Sequence, residues 1–204
     1  MVETIAGLIL AGGASRRMGG SDKFLLQIGG QRLIDRAIDR LRPQVGPVAI
    51  SANCDPSRLG DTRLPVVPDA EPAGRGPLAG ILAGLEWARA ETTVSHLVTA
   101  ASDAPFFPAD LVARLVASAR TSGQIVLAAS RGRRHPVFGL WPLGEYEPLG
   151  DWLRSGTSLK VTDYVGSRNN TACDFQDETG IDPFFNVNTP EHLDEAQRLA
   201  ETRQ

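Results

Sequence analysis

Apolar residues along this chain follow two alternating rhythms. Residues 5–10, 47–52, 96–101 and 125–129 are short, nearly continuous apolar runs, the pattern of strands covered on both faces of a parallel sheet. Between them, Leu33, Ile34, Ala37, Ile38 and Leu41 recur at the spacing of one helical face, with arginines and aspartates opposite. Residues 76–90 repeat this with Leu78, Ile81, Leu82, Leu85 and Trp87, and residues 108–120 with Leu111, Leu115 and Val116. Pro108 suits a first helical turn. After about Gly132 the rhythm changes: 135–141 reads as extended, 146–154 and 158–165 as helical, and Asn186-Val-Asn-Thr-Pro190 leads into a terminal helix. Strand and helix alternating at this pace predict an α/β fold with an open, mostly parallel, doubly wound (Rossmann-like) sheet. The second half reads as an extension of the same sheet, so that residues 1–204 form one domain.

One connection in this pattern is unusual. The run Leu10-Ala-Gly-Gly-Ala-Ser-Arg-Arg-Met-Gly-Gly-Ser-Asp-Lys23 follows the first strand and holds four glycines and three cations. Glycines let the backbone turn through positive φ and come close to a ligand, and their N–H groups can point at anionic oxygens. Arg16, Arg17 and Lys23 supply charge for those oxygens. The spacing is neither a Walker loop, which needs Lys-Ser/Thr after its last glycine, nor a Gly-x-Gly-x-x-Gly dinucleotide turn. An ordinary strand-to-helix turn with surface arginines is the alternative.

Ligands in such sheets bind beyond the carboxyl ends of the strands. That rule gathers the glycine loop, Ser51-Ala-Asn53, Asp69 and Ser102-Asp103 onto one rim. Asp103 follows an apolar strand, and one carboxylate there can hold Mg²⁺ beside substrate phosphates; a helix cap is its other reading. Asn53 and Asp69 suit ribose or base contacts, or turns. His135 stands after Arg131, Arg133 and Arg134 and before Pro136, where it could meet an anionic substrate or serve structure. The three arginines could do the same, or line a solvated loop.

Charge and composition narrow the classes further. The 204 residues carry a net charge of −3, which argues against general binding to nucleic acid or a membrane surface. Cys54 and Cys173 cannot make a disulfide framework or a zinc site. The chain shows neither a bilayer-spanning apolar stretch nor a secretion signal, so a cytoplasmic location is expected. No Ser-His-Asp or Cys-His constellation stands out, which favours a reaction whose nucleophile is already ionised, such as attack by a phosphate monoester.

Together, the glycine loop with Lys23, Gly76-Pro-Leu-Ala-Gly80, Ser102-Asp-Ala-Pro105, His135-Pro136 and Asn186-Val-Asn-Thr-Pro190 resemble the molybdenum cofactor guanylyltransferases. The match runs in order over nearly the whole chain. It implies a nucleotidyltransferase sheet in which 1–130 is the nucleotide-binding half and 131–204 the acceptor side of the cleft. The implied reaction transfers GMP from Mg-GTP to the phosphate of molybdopterin, releasing pyrophosphate and forming the guanine dinucleotide cofactor. By the same resemblance Leu10, Ala11, Gly12 and Gly13 contact guanine and phosphate, Arg17 and Lys23 bind phosphates, and Asn53 and Asp69 bind nucleotide. Asp103 would hold Mg²⁺, with Arg17, Lys23 and Asp103 the catalytic group. His135, Asn186 and Asn188 would lie toward the acceptor. Transient contact with proteins that deliver molybdopterin or receive the product also follows. The rivals are a molybdopterin cytidylyltransferase, another small-phosphate nucleotidyltransferase, and a non-catalytic nucleotide sensor on the same fold.

Overall fold

The computed structural model describes residues 4–12, 22–70, 76–91, 94–176 and 181–202. In chain order the elements are β1 (Thr4–Leu10), a small hairpin of β2 (Gln27–Ile28) and β3 (Gln31–Arg32), α1 (Leu33–Leu41), β4 (Val48–Ser51), β5 (Val66–Val67) and α2 (Pro77–Arg89). There follow β6 (Val94–Ala101), α3 (Leu111–Ser118), β7 (Ile125–Ser130), β8 (Arg133–Pro142), α4 (Tyr146–Ser155), α5 (Val161–Gly166), β9 (Asn170–Asp174) and α6 (Pro190–Thr202). Seven strands form one sheet in the order β5-β4-β1-β6-β8-β7-β9. All neighbours run parallel except at β8, which is antiparallel to both β6 and β7. A two-residue turn, Arg131-Gly132, reverses the chain between β7 and β8; both residues have positive φ (50° and 73°), the conformation of a tight I′ hairpin.

Alternation along β1 decides the layers. Ala6, Leu8 and Leu10 face α2, α4 and α5, whereas Ile9 faces α1 and α3. The helices therefore cover both faces of the sheet. A third, smaller core joins α6 to the β2–β3 hairpin through Ile28, Leu33, Phe106, Val187, Ala196 and Ala200. None of the described helices is long and apolar enough to cross a membrane.

The five apolar residues expected on α1 are all buried. On α2, Leu78, Ile81, Leu82 and Leu85 are buried, while Trp87 packs at the edge of the same layer. Three expectations need correction. Pro108 stands before α3 rather than in its first turn, its carbonyl accepting the Leu111 N–H at 3.2 Å. Val116 is 43% exposed, because Leu115 lies midway between Leu111 and Val112 around the helix and Val116 falls about 100° further round. Likewise α5 starts at Val161, and Ser158 instead bonds the Asp163 carboxylate from outside it at 2.6 Å.

α2 lies close against the sheet because of its glycines. A Cβ at Gly84 would come within 2.3 Å of Leu8 Cδ2 and 3.1 Å of Leu97 Cδ2, and both leucines are fully buried. Gly84→Ala is therefore expected to destabilise the fold by about 1–3 kcal/mol through overpacking, although the same change on an open helix face stabilises by up to about 1 kcal/mol. Urea denaturation reads the sign, and a stabilised variant would refute the close approach.

Candidate active site

The strand order reverses at β1. The chain moves from β1 outward to β4 and β5, then returns to place β6 on the other side of β1. Such a switch point opens a crevice at the carboxyl ends of the two central strands. Backbone pairing continues past the strand ends and fixes the rim. Ala11 N–H donates to the Ser51 carbonyl at 2.9 Å, Ala52 N–H to the Val67 carbonyl at 3.1 Å, and Ser102 N–H to the Leu10 carbonyl at 3.1 Å. Leu10 and Ala11 are consequently buried and engaged by the sheet, whereas Gly12 is exposed, with open space where a side chain would stand. Gly13, Arg16 and Arg17 lie outside the described residues.

On the β4–β5 side, Asn53 and Asp69 bind each other. Asn53 Nδ2 donates to Asp69 Oδ2 at 2.7 Å, and the Asp69 N–H returns a bond to Asn53 Oδ1 at 2.8 Å. Ser51 adds a longer bond from its hydroxyl to Asp69 Oδ1 at 3.4 Å. Gly80 makes room for this pairing, since a Cβ there would meet Ser51 Oγ at 2.6 Å and Asp69 Oδ1 at 3.3 Å.

The β6 side gathers a lysine, a carboxylate and a carboxamide. Lys23 Nζ donates to Asp103 Oδ2 at 2.7 Å and also to Asn188 Oδ1. The Lys23 and Asp103 side chains keep 18% and 26% of their surface exposed, which leaves both within reach of a ligand. Asp103 is not a helix cap; Asp110 occupies the N-cap position of α3. The Asp103 backbone carbonyl accepts the Val187 N–H at 2.8 Å, which fastens the segment 181–188 to the rim. Asn186, on that segment, has a buried Oδ1 with no hydrogen-bond partner among the described residues. Among the same residues no group of three or more His, Cys, Asp or Glu converges on a metal position. A single carboxylate fits a hard cation that takes its remaining ligands from substrate and water.

His135 stands apart from this cluster. It is 8% exposed and stacks on Phe184 at 4.5 Å between ring centroids. Its Nε2 lies 2.7 Å from Ser130 Oγ. The ring is thus largely enclosed by Phe184 and Ser130. Arg134 holds β9 through Asn170 Oδ1 at 3.0 Å, while Arg131 and Arg133 sit exposed at the hairpin. A cavity of about 500 Å³ between α4 and α5, lined by Trp152, Tyr164 and Arg168 among others, shares no residue with the rim.

Residues 7–163 match the family model described as the MobA-like NTP transferase domain. A protein from Mesorhizobium japonicum named molybdenum cofactor guanylyltransferase is 46% identical over 205 residues, covering 99% of both chains. A Bradyrhizobium protein of the same name is 46% identical over 198 residues, covering 96% of this chain and 93% of its own. The chain belongs to the MobA-like NTP transferase family. The fold is shared with a crystal structure of molybdopterin-guanine dinucleotide biosynthesis protein A from Archaeoglobus fulgidus, at a TM-score of 0.72 and 18% identity over 97% of this chain and 99% of that one.

In this member of the MobA-like family two polar residues escaped sequence reasoning: Ser130 and Asp182. Ser51 and Ser130 each close an apolar run at the carboxyl edge, a signal applied to Asp103 but not to Ser130. Asp182 lies just before the Asn186-Val-Asn motif. Burial, and to a smaller degree the Arg133 charge, hold the His135 pKa below its usual range, with Asp182 opposing them. A histidine kept neutral in the fold costs stability as pH falls below about 6.5, where the unfolded chain takes up a proton that the folded chain refuses. Melting temperature is therefore expected to drop from pH 7 toward pH 5, with a shallower slope in His135→Gln. Identical slopes in the two proteins would contradict a neutral, buried ring.

Proposed function

We propose that this chain transfers GMP from GTP to the phosphate of molybdopterin, with Mg²⁺ as the divalent ion and pyrophosphate as the leaving group. The observation that carries this reading is the meeting of Lys23, Asp103 and Asn188 at the switch point of the sheet. It occurs in a chain 46% identical, end to end, to proteins named for that reaction.

In the proposed reaction an oxygen of the acceptor phosphate forms a bond to the α-phosphorus of GTP. The bond from that phosphorus to the bridging α–β oxygen breaks, and its electron pair leaves with pyrophosphate. The acceptor phosphate is largely dianionic at neutral pH, so no protein base is required. Two anions must instead be held together and their charge offset. Lys23 does part of this: its ammonium is a point charge with three N–H donors, directed by Asp103 and Asn188 toward the rim. Asp103 would hold the Mg²⁺. When bound, such an ion draws charge off phosphate oxygens as a Lewis acid.

Arg17 and Gly13 would meet the phosphates. Leu10, Ala11 and Gly12 would present backbone to guanine, and the Asn53–Asp69 pair would face the rest of the nucleoside. Residues 1–130 form the nucleotide half in this reading and 131–204 the acceptor half, where Asn186 and Asn188 stand. A cytoplasmic setting follows from the substrate proposed.

Two substitutions test the assignment. Asp103→Ala is expected to lower kcat for guanylyl transfer on the order of 10²–10³, the several kcal/mol that a metal-held charge supplies. Lys23→Ala is expected to lower kcat/KM for GTP by a similar factor. Pyrophosphate release with molybdopterin as acceptor measures both, and near-wild-type rates would contradict the roles. Turnover with CTP but not GTP would instead overturn the choice of base.

A further inference from the structure

Asn188 and the backbone that fastens Asp103 both depend on the segment 181–188, and that segment is itself held by a polar chain, buried at Ser130 and His135 and partly exposed at Asp182. Ser130, at the end of β7, donates its hydroxyl proton to Asp182 Oδ1 at 2.8 Å. A hydroxyl has one proton, so its oxygen is left to accept from His135 Nε2–H, 2.7 Å away. His135 Nε2 and Asp182 Oδ1 are themselves 4.0 Å apart, so the serine is the link between them. The same Asp182 Oδ1 accepts the Phe184 N–H at 2.9 Å, and the Asp182 carbonyl accepts the Phe185 N–H at 3.0 Å. One carboxylate thereby folds the turn from 182 to 185 and ties it to the sheet.

Packing locks the same turn from the other side. Phe184 is 2% exposed. Its ring stacks on His135 and meets Phe138 at 4.8 Å and Phe175 at 5.3 Å between centroids. Three residues on, the Val187 N–H donates to the Asp103 carbonyl at 2.8 Å, and Asn188 Oδ1 then accepts from Lys23. The path from His135 to Lys23 is an unbroken run of hydrogen bonds and one short stretch of backbone.

We infer that His135, Ser130 and Asp182 are positioning residues: their relay sets the 182–188 segment so that Asn188 and Asp103 hold Lys23 in place for phosphate chemistry. The arrangement is not a nucleophilic triad. The aspartate engages the serine rather than the histidine's far nitrogen, and the serine hydroxyl is 1% exposed as a residue and spends its proton on Asp182. This inference rests on the proposed guanylyl transfer only for its kinetic readout.

Asp182→Ala and Ser130→Ala each break the relay, whereas Asp182→Asn keeps an oxygen to accept from both Ser130 and Phe184. In the full-length protein, amide exchange at Val187 is expected to quicken at least about tenfold in the two alanine variants and to stay near wild type in Asp182→Asn. Under turnover, the alanine variants are expected to lose about 10–100-fold in kcat, with KM for GTP within about twofold. Asp182→Asn restores most of the rate. The Asp182→Ala/Ser130→Ala double variant should be no slower than the worse single one, because both changes cut one chain. Unchanged exchange at Val187 in both alanine variants would overturn the inference, as would kcat within about twofold of wild type. Should the wild-type enzyme transfer no guanylyl group at all, the proposed function falls, and the exchange at Val187 still decides the relay.

Discussion

A lysine, a carboxylate and a carboxamide separated by 80 and 165 positions in the chain meet around one ammonium group. Lys23 comes from the glycine-rich connection after β1, Asp103 from the end of β6, and Asn188 from the segment before α6. Their meeting requires the sheet to be complete from β1 to β6 and the C-terminal segment to be docked. In the low-dielectric environment of a half-covered rim a charge so placed acts more strongly than one in open water. The site is therefore a property of the whole fold rather than of any one motif.

Hydrogen bonding carries that order from the sheet to the site. The parallel ladder does not stop at the last residues of the strands; Ala11, Ala52 and Ser102 extend it by one more bond each. The groups that follow (Gly12, Asn53 and Asp103) are exposed or partly exposed, yet stand on a backbone with little freedom. Rigid support beneath accessible side chains is what positioning catalysis needs. The glycines of α2 serve the same end by letting the helix approach Ser51, Asp69 and Leu8 more closely than any side chain would permit.

Much of this could be read from the sequence, and the remainder was hidden for definite reasons. Apolar runs and helical spacing located β1, β4, β6 and β7 and the stripes of α1 and α2, because burial on both faces leaves a continuous apolar signature. Strand direction leaves no such mark, so nothing in residues 135–141 announced that β8 runs backward. Its hairpin turn uses Arg131 at positive φ, where asparagine or glycine would have been the telling residue. β9 (Asn-Thr-Ala-Cys-Asp) is a largely polar edge strand and lacked the apolar run. The Gly29-Gly30 pair between β2 and β3, both at positive φ, was a hairpin signal within reach. Asp103, Lys23 and Asn188 could each be singled out by residue type and place, but their convergence could not. The link from Ser130 to Asp182 spans 52 positions, and no local pattern encodes a polar pairing at that distance.

The central claim is that the Lys23–Asp103 cluster is where triphosphate and divalent ion are bound together. Calorimetric titration of GTP with and without Mg²⁺, in wild type and in Asp103→Ala, tests it most directly. The account predicts that Mg²⁺ tightens GTP binding at least about tenfold in the wild type, a coupling of about 1.4 kcal/mol, and that this enhancement vanishes in Asp103→Ala while weak metal-free binding persists. An equal Mg²⁺ enhancement in both proteins would contradict it.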